Sequence, residues 1–270
     1  MCTVGAVFVP GQGVVVFKQC DLASPARFSV PGVEDGEVLL FERSGAPGPY
    51  AGANARGVML VAADAYVASE DAEELMSRAS PDTMAAYAYV LRHAHNAAHA
   101  AELLGQFYEE NDALDIALLA DIDEAWLLES KPGEAVASTR VDEGTLVATN
   151  HFRMLPGAVE WEDNNSTYLR LMRAQELLDA EPDVDGVAAV LLDQAYGETE
   201  QSIGRVAERE GEYFTQASVV MCGRPDGQVD AVALWGGNPR EKKARVWHNV
   251  FEGGGWSRRG IGMGELSRVL

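Results

Sequence analysis

The chain has 270 residues, 47% of them apolar, enough to bury a full core as one large domain or two small ones. Its 42 acidic residues against 21 basic ones leave a net charge of −21, a field that repels nucleic acid and anionic membrane and gathers cations. That field favours a small cationic or amine substrate, although solubility alone also accounts for it. No apolar run reaches the roughly 18 residues a spanning helix needs, and the N-terminus lacks the basic region of a secretory signal, so a cytoplasmic location is expected. Three cysteines, Cys2, Cys20 and Cys222, form no even disulfide set, which suits a reducing compartment.

In chain order, 3–9 and 13–18 read as β-rich runs joined by "PGQG", a hairpin that brings Cys2 at one strand's start near Asp21, just past its partner's end. "GEVLLFER" (36–43) and "GVMLVAADAYV" (57–67) read as strands, with "ANARG" as the turn before the second. At Ser69 the period changes: Ser69 and the acids after it form a helix start, and 82–110 reads as one long Ala- and Leu-rich helix. Residues 115–130 read as a hairpin turning at "DID", and 144–152 as a strand. "STYLRLMRAQELLDA" and "VDGVAAVLLDQAYG" follow as helices, 212–237 as a long hairpin turning at "RPDG", and 241–251 as a late strand. Strands, then helices, then strands again predict an α+β architecture with mainly antiparallel sheet.

Cys2 stands directly behind Met1, where a small side chain lets a methionine aminopeptidase expose it as the new N-terminus. A cysteine with a free α-amine carries a nucleophile and a base on one residue. Set alone, Cys2 also reads as a small hydrophobe, as Cys20 and Cys222 do. Cys2 with Asp21 nineteen residues on, "GANARG" before a strand, "LLADIDEAWLLES", "VATNHF", "SIGR" and "TQASVVM…WGGNP" occur in that order. Together they resemble the penicillin acyltransferase branch of the cysteine N-terminal nucleophile hydrolases, related to the choloylglycine hydrolases, from Cys2 to about Pro239. The resemblance implies one domain over 1–270, a four-layer αββα sandwich of two antiparallel sheets. Residues 240–270 are a C-terminal extension to which it assigns no role.

Amide chemistry needs a nucleophile, a proton carrier and donors for the oxyanion. Cys2 would supply the first and its own amine the second, with Asp21 orienting the amine and Lys18 lowering the thiol pKa. Lys18 stands where the resemblance has an arginine, keeping the charge and losing the bidentate fork. Asn150 reads as an oxyanion donor or as an ordinary turn residue, and His151 beside it as support for that loop. Arg170 resembles an arginine directed at the nucleophile and reads equally as a solvated helix residue. Ser202 and Arg205 resemble a motif near the substrate pocket, or form a helix cap and a surface pair. Asp64 replaces an asparagine of the resemblance; its carboxylate repels an oxyanion, which leaves the second donor to a backbone N–H or gives Asp64 a cationic substrate to bind.

His95, His99 and Glu102 have a spacing that could hold a metal, but solvated histidines on an Ala-rich helix are the commoner case, and the expected chemistry needs no metal or cofactor. The leading reading is an amidohydrolase that forms an acyl-cysteine and releases it to water. An acyltransferase of the same fold passing the acyl group to an amine, and a silent binding protein, stay open, as does a homo-oligomer.

Overall fold

The N-terminal hairpin sets the frame. Strands β1 (Cys2–Val9) and β2 (Gly13–Leu22) pair antiparallel from Val9 opposite Gly13 to Cys2 opposite Cys20. Gly13 is required at the turn: its φ is +114°, and a Cβ there would lie 2.0 Å from the Gly223 carbonyl oxygen. Asp21 belongs to β2 itself rather than following it, because β2 runs on to Leu22 beside a further strand.

The computed structural model describes residues 1–270 apart from 68, 158, 163–164 and 207–210, and the side chains of 69–72 also lie outside the description. After the hairpin come β3 (Gly32–Glu34), β4 (Val38–Glu42), β5 (Pro49–Asn54) and β6 (Met59–Asp64). Helices α1 (Ser69–Arg78), α2 (Thr83–His93) and α3 (Ala97–Asn111) follow, then β7 (Asp115–Ala120), β8 (Ala125–Ser130), β9 (Ala137–Val141) and β10 (Thr145–Ala148). Helices α4 (Asn165–Ala180) and α5 (Val184–Leu192) precede β11 (Phe214–Gly223), β12 (Val229–Trp235) and β13 (Arg245–Trp247). One sheet has the order β10-β1-β2-β11-β12-β13 and the other β3-β4-β5-β6-β7-β8-β9, with every pairing antiparallel.

Three apolar clusters define four layers. Val4, Val16, Leu39, Met59 and Leu118 meet between the two sheets. Val7, Phe17, Leu178 and Leu191 lie between the first sheet and α4–α5, and Leu60, Leu91, Leu104 and Leu119 between the second sheet and α2–α3. Both faces of each sheet are therefore covered. That is why "GVVVF" and "IALLA" read as unbroken apolar runs rather than alternating ones. Full burial of each large apolar side chain contributes about 1.5–3 kcal/mol.

Several boundaries differ from expectation. The helix read over 82–110 is two helices: Ala94 turns extended, and Asn96 caps α3 by accepting from the His99 N–H at 2.8 Å. Alanines on both sides hide that break in the periodicity. Asn54 of "GANARG" ends β5 and donates through Nδ2 to the carbonyls of Leu91 and Ala94, closing the end of α2. The strand read over 144–152 stops at Ala148, and the late strand is only Arg245–Trp247. α1 is present as expected, though its first-turn side chains, the acids after Ser69 among them, lie outside the described residues. Beyond 240, Val246, Met263 and Leu266 join the helix-side cluster and Trp247 the inter-sheet cluster. The last thirty residues thus contribute core.

Candidate active site

Alternation along β2 divides the site into two faces. Lys18 and Cys20 accompany Cys2 toward the second sheet, while Gln19 and Asp21 point toward α4 and α5.

On the inter-sheet face, Lys18 Nζ donates to Cys2 Sγ at 3.2 Å and to the Ala62 carbonyl, and lies 5.6 Å from the centre of the Tyr50 ring. All three side chains are buried. The Cys2 thiol is held well below its usual pKa, first by the Cys20 thiol, which donates to it, and then by the Lys18 charge, against the opposing effect of burial. Burial acts to lower the Lys18 ammonium, but the charge of Cys2 first, with that of Asp64, outweighs it and raises its pKa. Cys20 is pushed the other way, well up, so it stays a thiol.

Cys2, Lys18, Cys20, Tyr50, Asp64 and Asp115 line one cavity of about 30 Å³. That is room for the reacting groups, roughly the space of one water at liquid density, and not for a whole substrate. Leu22, Arg43 and Met84, which are half-buried, and the exposed Asp64 mark where it opens. Deeper, Asp115 accepts from the hydroxyls of Tyr87 and Tyr108, and burial raises its pKa to about 6.

On the other face, the Met1 amine donates to the Asp21 carbonyl at 2.8 Å, and the Cys2 N–H donates to Asn150 Oδ1 at 2.9 Å. Asn150 Oδ1 also accepts from Arg170 Nη2 at 2.9 Å, and Arg170 Nη1 reaches the Cys2 carbonyl and Thr3 Oγ1. Asn150 Nδ2 donates to the Asp64 carbonyl at 2.7 Å, leaving its second hydrogen for another acceptor. Arg170 is fully buried, not a solvated helix residue, and burial with the neighbouring Arg205 lowers its pKa to about 9. Arg205 Nε stands 3.3 Å from Asp21 Oδ2, both side chains fully buried, and Thr215 Oγ1 donates to Asp21 Oδ1. Among the described residues Asp21 Oδ2 accepts no hydrogen bond beyond this ion pair. The Met1 side chain fills the space between Arg205 Nη1 at 3.2 Å, Arg170 Nη2 at 3.6 Å and Ser166 Oγ at 4.0 Å.

The remaining candidates lie further out. His151 is buried, stacked on Tyr168 with centroids 4.0 Å apart, its Nδ1 3.0 Å from Thr167 Oγ1. Burial first, then Arg170 and Arg153, lower its pKa to about 4, so it is a neutral support for the Asn150 loop. Ser202 donates to the Gly197 carbonyl and accepts Arg205 Nε at its own carbonyl, holding Arg205 rather than lining the cavity. His95 precedes α3, and its ring lies 4.0 Å from that of His99 at a tilt of 40°. With Glu102 they form no convergent set of ligand atoms among the described residues.

Cys20, Tyr50, Tyr87 and Asp115 were not expected at the site. For Cys20 a signal existed: once "PGQG" sets Val9 opposite Gly13, every antiparallel pair in the hairpin sums to the same number, and Cys2 falls opposite Cys20. The tyrosines and Asp115 come from separate elements and left no local sign.

No protein-family model matches the chain, and no curated protein matches it. Solved structures do. An N-acylethanolamine-hydrolyzing acid amidase ortholog of Caenorhabditis elegans superposes with a TM-score of 0.59 at 13% identity, over 84% of this chain and 95% of that one. The mutant C2A conjugated bile acid hydrolase from Clostridium perfringens superposes with a TM-score of 0.51 at 12% identity, over 97% of each chain. With two antiparallel sheets between two helical layers and a cysteine opening the first strand, the chain has the four-layer αββα fold of the N-terminal nucleophile hydrolases.

Proposed function

We propose that the protein is an amidohydrolase that uses Cys2 as its nucleophile once loss of Met1 frees the Cys2 amine. The observation that carries this reading is the Cys2 thiol itself, at the head of β1, in a cavity against a buried ammonium 3.2 Å away. The proteins named above as sharing its fold are both hydrolases by name, one of them an amidase.

The freed amine accepts the thiol proton, and the thiolate attacks the amide carbonyl carbon. In the Met1-bearing chain burial lowers the terminal amine pKa against the raising effect of the Cys2, Asp21 and Asp64 charges, and a freed Cys2 amine acts as the base one residue further in. The Asp21 carboxylate, whose Oδ2 is ion-paired with Arg205 but accepts no hydrogen bond among the described residues, is the acceptor for the ammonium that results. The second Nδ2 hydrogen of Asn150 is a donor for the oxyanion. As the tetrahedral adduct collapses, the C–N bond breaks, the departing nitrogen takes the proton back, and a thioester on Cys2 remains. Water, deprotonated by the same amine, then attacks the thioester carbon and releases the acid and the thiol. Asp64, exposed at the cavity's opening, suits a substrate with a cationic group on the part that projects outward.

The test is a panel of small N-acyl amines, with and without a protonated amine, offered to the wild type and to Cys2→Ala, with melting temperatures measured for both. Hydrolysis lost in Cys2→Ala at an unchanged melting temperature is expected, and hydrolysis that persists in that variant would falsify the assignment.

A further inference from the structure

We propose that Cys2 and Cys20 are a redox-modification site: a hydroperoxide oxidises Cys2, and Cys20 closes on it to form a reversible cross-strand disulfide that withdraws the nucleophile.

The geometry comes from the ladder. The Asp21 N–H donates to the Met1 carbonyl at 2.9 Å, the bond that flanks a non-hydrogen-bonded antiparallel pair, and Cys2–Cys20 is that pair. In such pairs the Cα atoms stand about 4.5 Å apart with side chains on the same face, inside the roughly 4.4–6.8 Å range that disulfides span. Both thiols belong to the inter-sheet cluster and both line the cavity that holds Lys18. The cavity opens beside the exposed Asp64, which gives a molecule as small as hydrogen peroxide a line of approach to the Cys2 sulfur. Cys222 is excluded as a partner: it lies on β11 opposite Val15, in the cluster on the helix side of the sheet.

The chemistry balances as follows. The Cys2 thiolate attacks one peroxide oxygen, the O–O bond breaks, and the leaving oxygen takes up a proton as water or an alcohol. Cys2 becomes a sulfenic acid. The Cys20 sulfur attacks the Cys2 sulfur, the S–OH bond breaks, and the Cys20 proton leaves with hydroxide as a second molecule of water. Two thiols have lost two electrons to the peroxide, and a dithiol returns them. Cys20 thereby shields Cys2 from the irreversible sulfinic and sulfonic states. Neither step needs the Cys2 amine, so the proposal does not depend on Met1 removal or on amidase activity.

The experiment is intact mass and a non-reduced peptide map of the full chain after brief exposure to hydrogen peroxide, followed by dithiothreitol. The expected product is lighter by two hydrogen atoms, carries a peptide joining Cys2 to Cys20, and loses alkylation at Cys2 by about tenfold or more until dithiothreitol restores it. In Cys20→Ser, Cys2 should gain two or three oxygens instead and dithiothreitol should not rescue it. The wild-type map decides the matter even if that variant fails to fold. Oxygen gain at Cys2 with no linked peptide, or a link to Cys222 or to a second chain, overturns the proposal and leaves the amidohydrolase reading untouched.

Discussion

Lys18 is the cation that stands against the proposed nucleophile. It is buried, held by the Ala62 carbonyl, and touches the Cys2 sulfur. An opposite charge at such a distance lowers an acid's pKa by about 1–3 units, and a methionine would keep the stem while removing it. Lys18→Met should therefore move the pH midpoint of Cys2 alkylation upward by about 1–3 units, read from alkylation rates between pH 5 and about 10. A midpoint that stays in place would assign the low thiol pKa to Cys20 alone. Asp21, Asn150 and Arg170 stood out as candidates at this scale, because their residue types suit the proposed chemistry. Their joint geometry was not: Asn150 Oδ1 receives both Cys2 N–H and Arg170 Nη2, and nothing near any one of the three announces the others.

Among the elements, the N-terminal hairpin carries the site and Gly13 carries the hairpin's turn. With φ at +114° and no room for a Cβ beside Gly223, Gly13→Ala should cost about 1–3 kcal/mol, measured by denaturant unfolding. A loss within error of zero would show that β11 gives way there without cost. The break between α2 and α3 makes a second case: Asn96→Ala removes the side-chain acceptor for the His99 N–H and should cost about 1 kcal/mol in the same measurement. The hairpins at 115–130 and 212–237 were read almost to the residue, since Asp- and Gly-bearing turns flank long apolar runs. β3 and β9, an edge strand apiece with polar residues and a single neighbour, had no such pattern.

At the scale of the whole molecule, Met1 is buried with its amine on the Asp21 carbonyl and its sulfur between two guanidinium groups. Burial hides Met1 from an aminopeptidase in the folded chain, so the excision that the proposed function requires should precede folding. A Met1-bearing chain should lose methionine to purified methionine aminopeptidase about 100-fold more slowly when folded than when unfolded, followed by mass; equal rates would mean that this end of the chain opens readily. The acid response is also a property of the fold. His151 stays neutral in the folded chain down to about pH 4 while the unfolded chain takes a proton near 6.5, so its contribution to stability is lost as pH falls through that window. Asp115, raised to about 6, acts in the opposite direction, holding a proton in the folded state that the unfolded chain releases. Because only the histidine changes, His151→Gln should show a smaller fall in melting temperature than the wild type between pH 6.5 and 4; an equal fall would remove His151 from the acid response.

The sequence by itself determined the hairpin that brings Cys2 near Asp21, the α+β order and the thiol behind Met1; it also held the register that sets Cys2 against Cys20, which the structure revealed. Each of these is local: turn chemistry, periodicity and a constant sum along one antiparallel pair. Only the tertiary structure decided that Arg170 and Arg205 are buried beside the N-terminus, that Asn150 joins Cys2 to Asp64, and that Tyr87, Tyr108 and Asp115 back the cavity. Those contacts join residues from different layers, and burial of a charge depends on what all the layers together exclude from water, which no single segment encodes.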